Sequence, residues 1–320
     1  METKLIDFII NRKAGTVLRV GEDQVVSDLR RIFGERAGEF YLVEGDEIAE
    51  TARNWLKAHP DGDREVAIGG GDGSFMTVAS IMKGTGTTIR IIRLGTQDFL
   101  ADNMGFSPDY REPPSQYINS KIRVLDMGNV NGLDFVVGLV LDKNSVKFFE
   151  AREALRENRF LSFLSKAFSF ASGVLWSAKD SLIVSPGNQG KTEEHVGRIF
   201  AVTNNALVPR SSEGLYPTPD NLFRVAGNAF GKGEEPDGQL AFYGSKAGIT
   251  RAPAIFGSIW DGTWHESDNV TVIKSQELTI TSPDESRKSI RIVVDGELRD
   301  TELPLKITIQ PRALRVYTPA

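Results

Sequence analysis

The 320-residue chain contains no cysteine and only three histidines. Without thiols it has no disulfide, cysteine nucleophile or cysteine-ligated zinc site, and the composition is compatible with a reducing compartment. His59, His195 and His265 lie far apart and form no H-E-x-x-H motif, so each is interpreted as a surface or packing residue.

Excess positive charge is also lacking, because the formal net charge is -5. No basic field is available to attract nucleic acid, which is therefore not expected as a partner. A bilayer span needs about 20 mainly apolar residues, whereas the most apolar stretch, residues 160–178, includes Lys166 and several serines. The amino-terminal apolar run is too short for a signal peptide. We expect a cytoplasmic protein.

The pattern of the chain changes near residue 120. Before it, short apolar runs alternate with segments of helical periodicity, which is typical of a parallel sheet with helices on its faces. After it, short β-rich runs are separated by Gly, Pro, Asn and Asp, which predicts a mostly antiparallel sandwich or barrel. A helical region at about 145–178 interrupts the second part. The predicted fold class is α/β followed by β.

The stretch EVAIGGGDGSFMTVASIM, residues 65–82, places three glycines and Asp72 between a predicted strand and a predicted helix. Glycines let backbone N–H groups approach a ligand closely, and the start of a helix favours an anion such as phosphate. Asp72 would repel phosphate unless a magnesium ion or a hydroxyl proton lies between them. The pattern therefore favours phosphoryl transfer, with a purely structural turn as the alternative. No Walker or Rossmann motif is present.

Two other loops also follow predicted strands. Parallel α/β sheets bind ligands outside the carboxyl ends of their strands, so we expect these loops to converge with the glycine-rich turn. The residues that they contribute are Asn11 and Gly15 in the first loop and Gly95, Thr96 and Asp98 in the second.

A fourth segment, residues 293–314, contains Asp295-Gly296 between two strand-like runs. One interpretation is a β-hairpin turn and nothing more. The other places Asp295 and Glu297 near the phosphate-binding turn as carboxylates that accept a substrate proton.

Six ordered motifs extend along nearly the whole chain. They are NRKAG (11–15), GGDGS (70–74), RLGTQDFLA (93–101), DGQL (237–240), DGE (295–297) and PRALRVYTP (311–319). Together they resemble the motifs of the diacylglycerol kinase catalytic-domain superfamily, which includes bacterial lipid kinases, sphingosine kinases and ceramide kinases. NAD kinases are more distant relatives.

The resemblance implies an α/β nucleotide-binding domain over residues 1–122, joined by about 306–320. It also implies a β-sandwich domain for the lipid over residues 123–305, with the helical region as an insertion. The implied activity is an ATP- and magnesium (Mg2+)-dependent kinase that phosphorylates a hydroxyl of a lipid. Diacylglycerol, phosphatidylglycerol and sphingoid bases all offer such a group.

The resemblance also assigns roles to individual residues. Glu297 is the expected general base, with Asp295 orienting it or touching the metal. Asp72 is expected to assist a magnesium ion that bridges the phosphates, and Asp237 to lie at a structural magnesium site. The expected nucleotide-binding residues are Asn11, Gly15, Gly70, Gly71, Asp72, Gly73, Ser74, Gly95 and Thr96.

Three departures from the family pattern qualify these expectations. Arg12 and Arg93 replace prolines, and GTQDF is one residue shorter than the usual loop, with Gln97 in place of an asparagine or that asparagine lost. Two alternatives therefore stay open: a kinase of a soluble acceptor such as NAD, and a nucleotide- or lipid-binding relative with weak or no catalysis.

Phe163 and Trp176 in the apolar stretch suggest either core packing or peripheral contact with a membrane. A homodimer is a further expectation.

Overall fold

The computed structural model describes residues 4–95, 100–101, 104–141, 146, 180–187, 190–197, 200–204, 207–208, 232–233, 237–245, 268 and 270–320. The chain divides into two compact units: unit 1 contains residues 1–127 and 312–320, and unit 2 contains residues 128–311. The helical insertion predicted at about 145–178 lies outside the described residues, apart from Val146.

Unit 1 alternates strands and helices. Its elements are β1 (Ile6–Asn11), α1 (Gly15–Val20), α2 (Glu22–Phe33), a 3-10 turn (Gly34–Arg36), β2 (Ala37–Val43), α3 (Ile48–Ala58), β3 (Glu65–Gly70), α4 (Asp72–Met82), β4 (Thr88–Arg93) and α5 (Ser115–Ile118). β5 (Ser120–Val130) leaves unit 1 for unit 2, and the carboxyl-terminal end of the chain returns to unit 1.

The strands of unit 1 form a parallel sheet in the order β2-β1-β3-β4. The returning residues 315–317 extend this sheet in parallel beside β4, with Tyr317 opposite Arg90. Tyr317 donates a hydrogen bond to Glu65 at 2.8 Å, and the Arg90 guanidinium lies 3.6 Å from the centre of the Tyr317 ring. The end of the chain is thus bound to the sheet by pairing, a hydrogen bond and a cation–π contact.

The helices of unit 1 bury one apolar stripe each, as their spacing predicts. Buried side chains recur at intervals of three and four residues, which places them on one face of a helix. They are Val25, Leu29 and Ile32 in α2, Ile48, Ala52 and Trp55 in α3, and Phe75, Val78, Ala79 and Met82 in α4. No helix among the described residues has the length and apolar character that crossing a membrane requires.

Unit 2 consists mainly of antiparallel strands. After the end of β5 these are β6 (Leu133–Phe135), β7 (Gly138–Val140), β8 (Asp180–Pro186), β9 (Glu193–Gly197), β10 (Phe200–Thr203), β11 (Leu207–Val208), β12 (Lys232–Gly233), β13 (Leu240–Ser245), β14 (Val270–Ser275), β15 (Glu277–Thr281), β16 (Ser289–Val294), β17 (Glu297–Glu302) and the first part of β18 (Leu305–Pro319).

Most of these strands form two sheets that share one apolar core, whereas β11 and β12 pair with each other in a separate two-stranded sheet. One sheet has the order β14-β13-β10-β7-β16-β17, and the other contains β18, β15, β8 and β9 in that order. Alternate residues of both sheets point into the core, as the two-residue period of a strand requires. The core includes Leu139, Phe200, Val202, Phe242 and Ile292 from the first sheet, and Leu182, Val184, Leu278, Ile280 and Ile307 from the second. The predicted α/β fold followed by a β-sandwich is confirmed.

Candidate functional site

Three loops meet at the carboxyl edge of the parallel sheet in unit 1. Asn11, at the end of β1, donates its side-chain Nδ2 to Ser74 Oγ at 3.0 Å. Gly95, after β4, donates its main-chain N–H to Gly70 O at 3.0 Å. Each bond links one of the outer loops to the glycine-rich turn, so the structure brings together the loops that the sequence predicts to converge.

The glycine-rich turn leaves no room for a side chain at Gly70. A Cβ built there would lie 2.6 Å from both Cβ and Oγ of Ser74, which is closer than real Cβ contacts. α4 begins directly afterwards at Asp72, and Phe75 N donates to Gly71 O at 3.1 Å. The main-chain N–H groups of the first helical residues have no acceptor within the helix. Gly71, Asp72 and Gly73 are half-buried, so this helix start offers donors to an anion.

The side chains of Asn11 and Ser74 are hydrogen-bonded within the protein. Ser74 is buried, and its Oγ accepts the Asn11 amide. Asn11 Oδ1 accepts the main-chain N–H of Lys13 at 2.9 Å, which closes the first loop. Both side chains therefore hold the first loop against α4. Their predicted contact with a nucleotide stays a prediction.

Gly15 and Thr96 complete the predicted set of the outer loops. Gly15 opens α1 and is half-buried, and its neighbour Thr16 donates its main-chain N–H to Leu94 O at 2.9 Å. The first loop is thus tied to the loop after β4 as well as to α4. Thr96, Gln97 and Asp98 lie outside the described residues.

Asp72 has a partner in the loop after β4. Its Oδ1 accepts the main-chain N–H of Leu100 at 2.9 Å. The carboxylate thus holds a segment that is 28 residues away in the sequence, a role that the sequence analysis did not identify. The predicted contact of Asp72 with magnesium stays a prediction.

Arg93 is a second residue whose role the sequence analysis missed. It ends β4 and is buried, and its Nη1 donates to Phe106 O at 3.4 Å. The sequence feature that could have indicated this role is an arginine within the mostly apolar stretch IRIIRL. A charge in a buried strand must be bound by polar groups.

In unit 2, Asp295 and Gly296 form the turn between β16 and β17. Asp295 adopts a φ of 45° and Gly296 a φ of 87°, values that an Asp-Gly hairpin turn requires. The buried Asp295 carboxylate accepts three main-chain N–H groups, from Val136 at 2.7 Å, Val137 at 2.8 Å and Gly138 at 2.9 Å. Burial raises the pKa of Asp295 to about 6, although these three bonds favour the charged form. Asp295 therefore braces the hairpin.

Glu297 differs from Asp295 in its surroundings. It opens β17, and 45% of its side-chain surface is exposed. Its Oε2 forms an ion pair with Arg299 Nη2 on the same strand. Glu297 is consequently a carboxylate that solvent and a ligand can reach.

Asp237, the predicted metal ligand, is bound within its own turn. Its Oδ1 accepts the Gln239 main-chain N–H at 2.9 Å, and its Oδ2 pairs with Lys274 Nζ at 3.1 Å. Within the described part of the chain, no group of three or more acidic or histidine side chains is arranged to hold a metal. The Asp237 site stays a prediction.

The part of the chain that contains the three loops of unit 1 matches a known protein family. Residues 6–130 match the diacylglycerol kinase catalytic domain. Residues 6–130 therefore resemble the catalytic domain of the diacylglycerol kinase superfamily. The matched residues include all three loops and the buried Arg93, and they end before Asp237, Asp295 and Glu297.

Solved structures resemble the chain over its full length. A crystal structure of a candidate diacylglycerol kinase from Bacillus anthracis str. Sterne has a TM-score of 0.66 at 14% identity, covering 99% of this chain and 98% of that one. A second structure of such a candidate from the same organism has a TM-score of 0.66 at 16% identity, covering 99% and 97%. At these identities the likeness shows the fold.

Proposed function

We propose that this chain is a lipid kinase that transfers the γ-phosphoryl group of ATP to a hydroxyl of a lipid such as diacylglycerol, phosphatidylglycerol or a sphingoid base. The observation that carries the proposal is the set of three joined loops in unit 1, within the part of the chain that matches the diacylglycerol kinase catalytic domain. The acceptor is a membrane lipid, so peripheral contact with a membrane belongs to the proposal. A homodimer stays a prediction.

The residues of the glycine-rich turn suit the phosphates of ATP. Gly71, Asp72 and Gly73 begin an 11-residue helix and are half-buried, so their main-chain N–H groups can donate to phosphate oxygens. Magnesium, when bound, would neutralise charge on the phosphates. Mg2+ usually binds through one or two carboxylates, substrate phosphates and waters, so Asp72 is compatible with it although no cluster of three metal-binding side chains occurs among the described residues.

Glu297 is proposed as the group that accepts the proton of the acceptor hydroxyl. Support comes from its half-exposed carboxylate, from Arg299, which orients it, and from the resemblance of the DGE segment to the family motif. Asp295 holds the hairpin that presents Glu297, because its three main-chain bonds tie the turn to residues 136–138.

Two alternative functions stay open: a kinase with a soluble acceptor, and a binding protein that does not catalyse phosphoryl transfer. A kinase of a soluble acceptor such as NAD would use the same nucleotide site. A binding protein without turnover would be compatible with the shortened loop that follows Gly95.

One experiment separates the three functions. The purified chain is incubated with Mg-ATP and either mixed micelles containing diacylglycerol, phosphatidylglycerol or sphingosine, or soluble NAD, and phosphorylated product is measured. We expect product with at least one lipid and none after chelation of magnesium with EDTA. Product with NAD alone would replace the lipid kinase by a soluble-acceptor kinase.

Calorimetry with Mg-ATP completes this experiment. Nucleotide binding without any product would favour the binding protein. Neither binding nor product would overturn the whole proposal.

A further inference from the structure

Two side chains of opposite charge contact the segment that follows β4. The Asp72 carboxylate accepts the main-chain N–H of Leu100 at 2.9 Å, and the Arg93 guanidinium donates to the main-chain oxygen of Phe106 at 3.4 Å. Between these points, Met104 N donates to Leu100 O and Phe106 N donates to Ala101 O, each at 3.0 Å. The described residues of this segment are therefore a hydrogen-bonded turn with an anion at its beginning and a cation at its end.

The signs of the two charges match the polarity of the turn. The first residues of a helical turn present N–H groups, which favour an anion, and the last residues present carbonyl groups, which favour a cation. A hydrogen bond in which one partner is ionised is about twice as strong as a neutral one. Asp72 therefore lies at the end of the turn that favours an anion, and Arg93 lies at the end that favours a cation.

The burial of Arg93 indicates that this contact is built into the fold. Its surface is only 7% exposed. Burying a guanidinium is costly unless polar groups bind it. The carbonyl of Phe106, 13 positions further on, is one of the polar groups that bind this guanidinium.

We propose that Asp72 and Arg93 are paired positioning residues that hold Leu100 and Phe106 against the ends of β3 and β4. For catalysis, the consequence rests on the proposed function: the two residues fix the loop after β4 relative to the glycine-rich turn, and thereby support nucleotide binding. Arg93 stands where the family motif carries a proline, so a side-chain contact here replaces a stiff backbone residue.

Amide hydrogen exchange followed by NMR tests the positioning without any ligand. Asp72→Ala removes the acceptor of Leu100 N–H and should accelerate exchange of that amide about tenfold to a hundredfold. Asp72→Asn keeps an acceptor oxygen and loses the charge, so exchange at Leu100 should rise less than in Asp72→Ala. Exchange of the buried amides of Ile9 and Ile68 reports global stability and should not change. Unchanged exchange at Leu100 in Asp72→Ala would overturn the proposal.

The Arg93 variants test the other end of the turn. Arg93→Met keeps the length of the side chain and loses the donor to Phe106 O. The turn that Phe106 N–H closes on Ala101 O should then open more often, so exchange of the Phe106 amide should rise several-fold. Arg93→Lys keeps the charge and one donor group and should restore part of the protection. The matched control is Arg111→Met, which removes an exposed arginine paired with Asp109 on the same loop and should leave both amides unchanged. Equal effects of Arg93→Met and Arg111→Met would contradict the proposal.

Nucleotide binding is measured separately on the same variants by calorimetry with Mg-ATP. Both Asp72→Ala and Arg93→Met should weaken it, and the double variant should lose less than the product of the two single effects, because either change alone frees the turn. If exchange responds as expected but even the parent protein binds no nucleotide, the proposed function fails and the positioning role stands. If the parent binds and turns over nucleotide but exchange does not respond, the positioning role fails alone.

Discussion

Two of the three Asp-Gly pairs among the candidate site residues, Asp72-Gly73 and Asp295-Gly296, have the same sequence and different structures. The first pair begins a helix after a parallel strand, with Gly71 in an extended conformation before it. The second turns a hairpin, with both residues at positive φ. Each carboxylate nevertheless binds main-chain N–H groups of a segment far away in the sequence, Leu100 in one case and residues 136–138 in the other.

The difference between the pairs lies in burial. The Asp295 carboxylate is buried and accepts three main-chain N–H groups, and the half-buried Asp72 carboxylate accepts the Leu100 N–H. An Asp-Gly pair is therefore a poor guide to chemistry by itself. In unit 2 the neighbouring Glu297, which is half-exposed, is the better candidate for chemistry, because the buried Asp295 braces the hairpin.

The largest expected effect tests this division of roles within one hairpin. Glu297→Gln keeps the size of the side chain and removes its ability to accept a proton. General-base catalysis typically contributes about 10²- to 10⁴-fold, so kcat should fall by a factor in this range. The measurement is the initial rate of phosphorylation of whichever lipid the parent protein accepts, with circular dichroism to verify the fold.

Glu302→Gln is the matched control, because Glu302 is exposed and ends the same strand, β17. It should leave kcat unchanged. A Glu297→Gln protein that retains kcat within about threefold of the parent would remove Glu297 from the chemistry and leave the Asp295 turn as a purely structural feature.

The second effect concerns the titration of Asp295. Its pKa rises from an ordinary value of 3.8 to about 6, chiefly through burial. The folded state then binds a proton more tightly than the unfolded state, so this contribution to stability is fully present below pH 3.8 and is lost as the pH rises through about 6. The rise corresponds to roughly 3 kcal/mol.

Urea unfolding of the parent and of Asp295→Asn, at intervals between pH 3.5 and 7, measures this contribution as the difference between the two free energies of unfolding. The difference should favour the parent most at the acid end and shrink by about 3 kcal/mol towards neutral pH. A difference that grows with pH would mean that the three N–H groups outweigh burial and keep Asp295 charged.

The sequence predicted the features that depend on periodicity and strand order. The repeated order of strand-like and helical segments before residue 120 indicated a parallel sheet with helices on its faces. Parallel order in turn places the ends of β1, β3 and β4 at one edge, which is how Asn11 and the glycine-rich turn could be expected to meet.

The contacts of individual polar side chains could not be predicted in the same way. The bonds from Asp72 to Leu100 and from Asp295 to residues 136–138 join segments whose separation depends on the complete fold. No local spacing records such a pair. Arg93 shows the limit most clearly, because its charge was visible in the sequence while its partner, a main-chain oxygen at Phe106, carries no sequence signal.

The smallest expected effect tests how the first turn is held to its neighbouring loop. Ser74→Ala removes the acceptor of the Asn11 amide, a bond between neutral groups that contributes about 1 kcal/mol to the free energy of unfolding. Ser80→Ala is the matched control, because both changes exchange serine for alanine within α4 and so gain similar helix propensity. Urea unfolding should show Ser74→Ala less stable than Ser80→Ala by about 1 kcal/mol. Equal stabilities would mean that main-chain bonds alone join the first loop to the helix, in contrast to the charged side chain that braces the Asp295 turn.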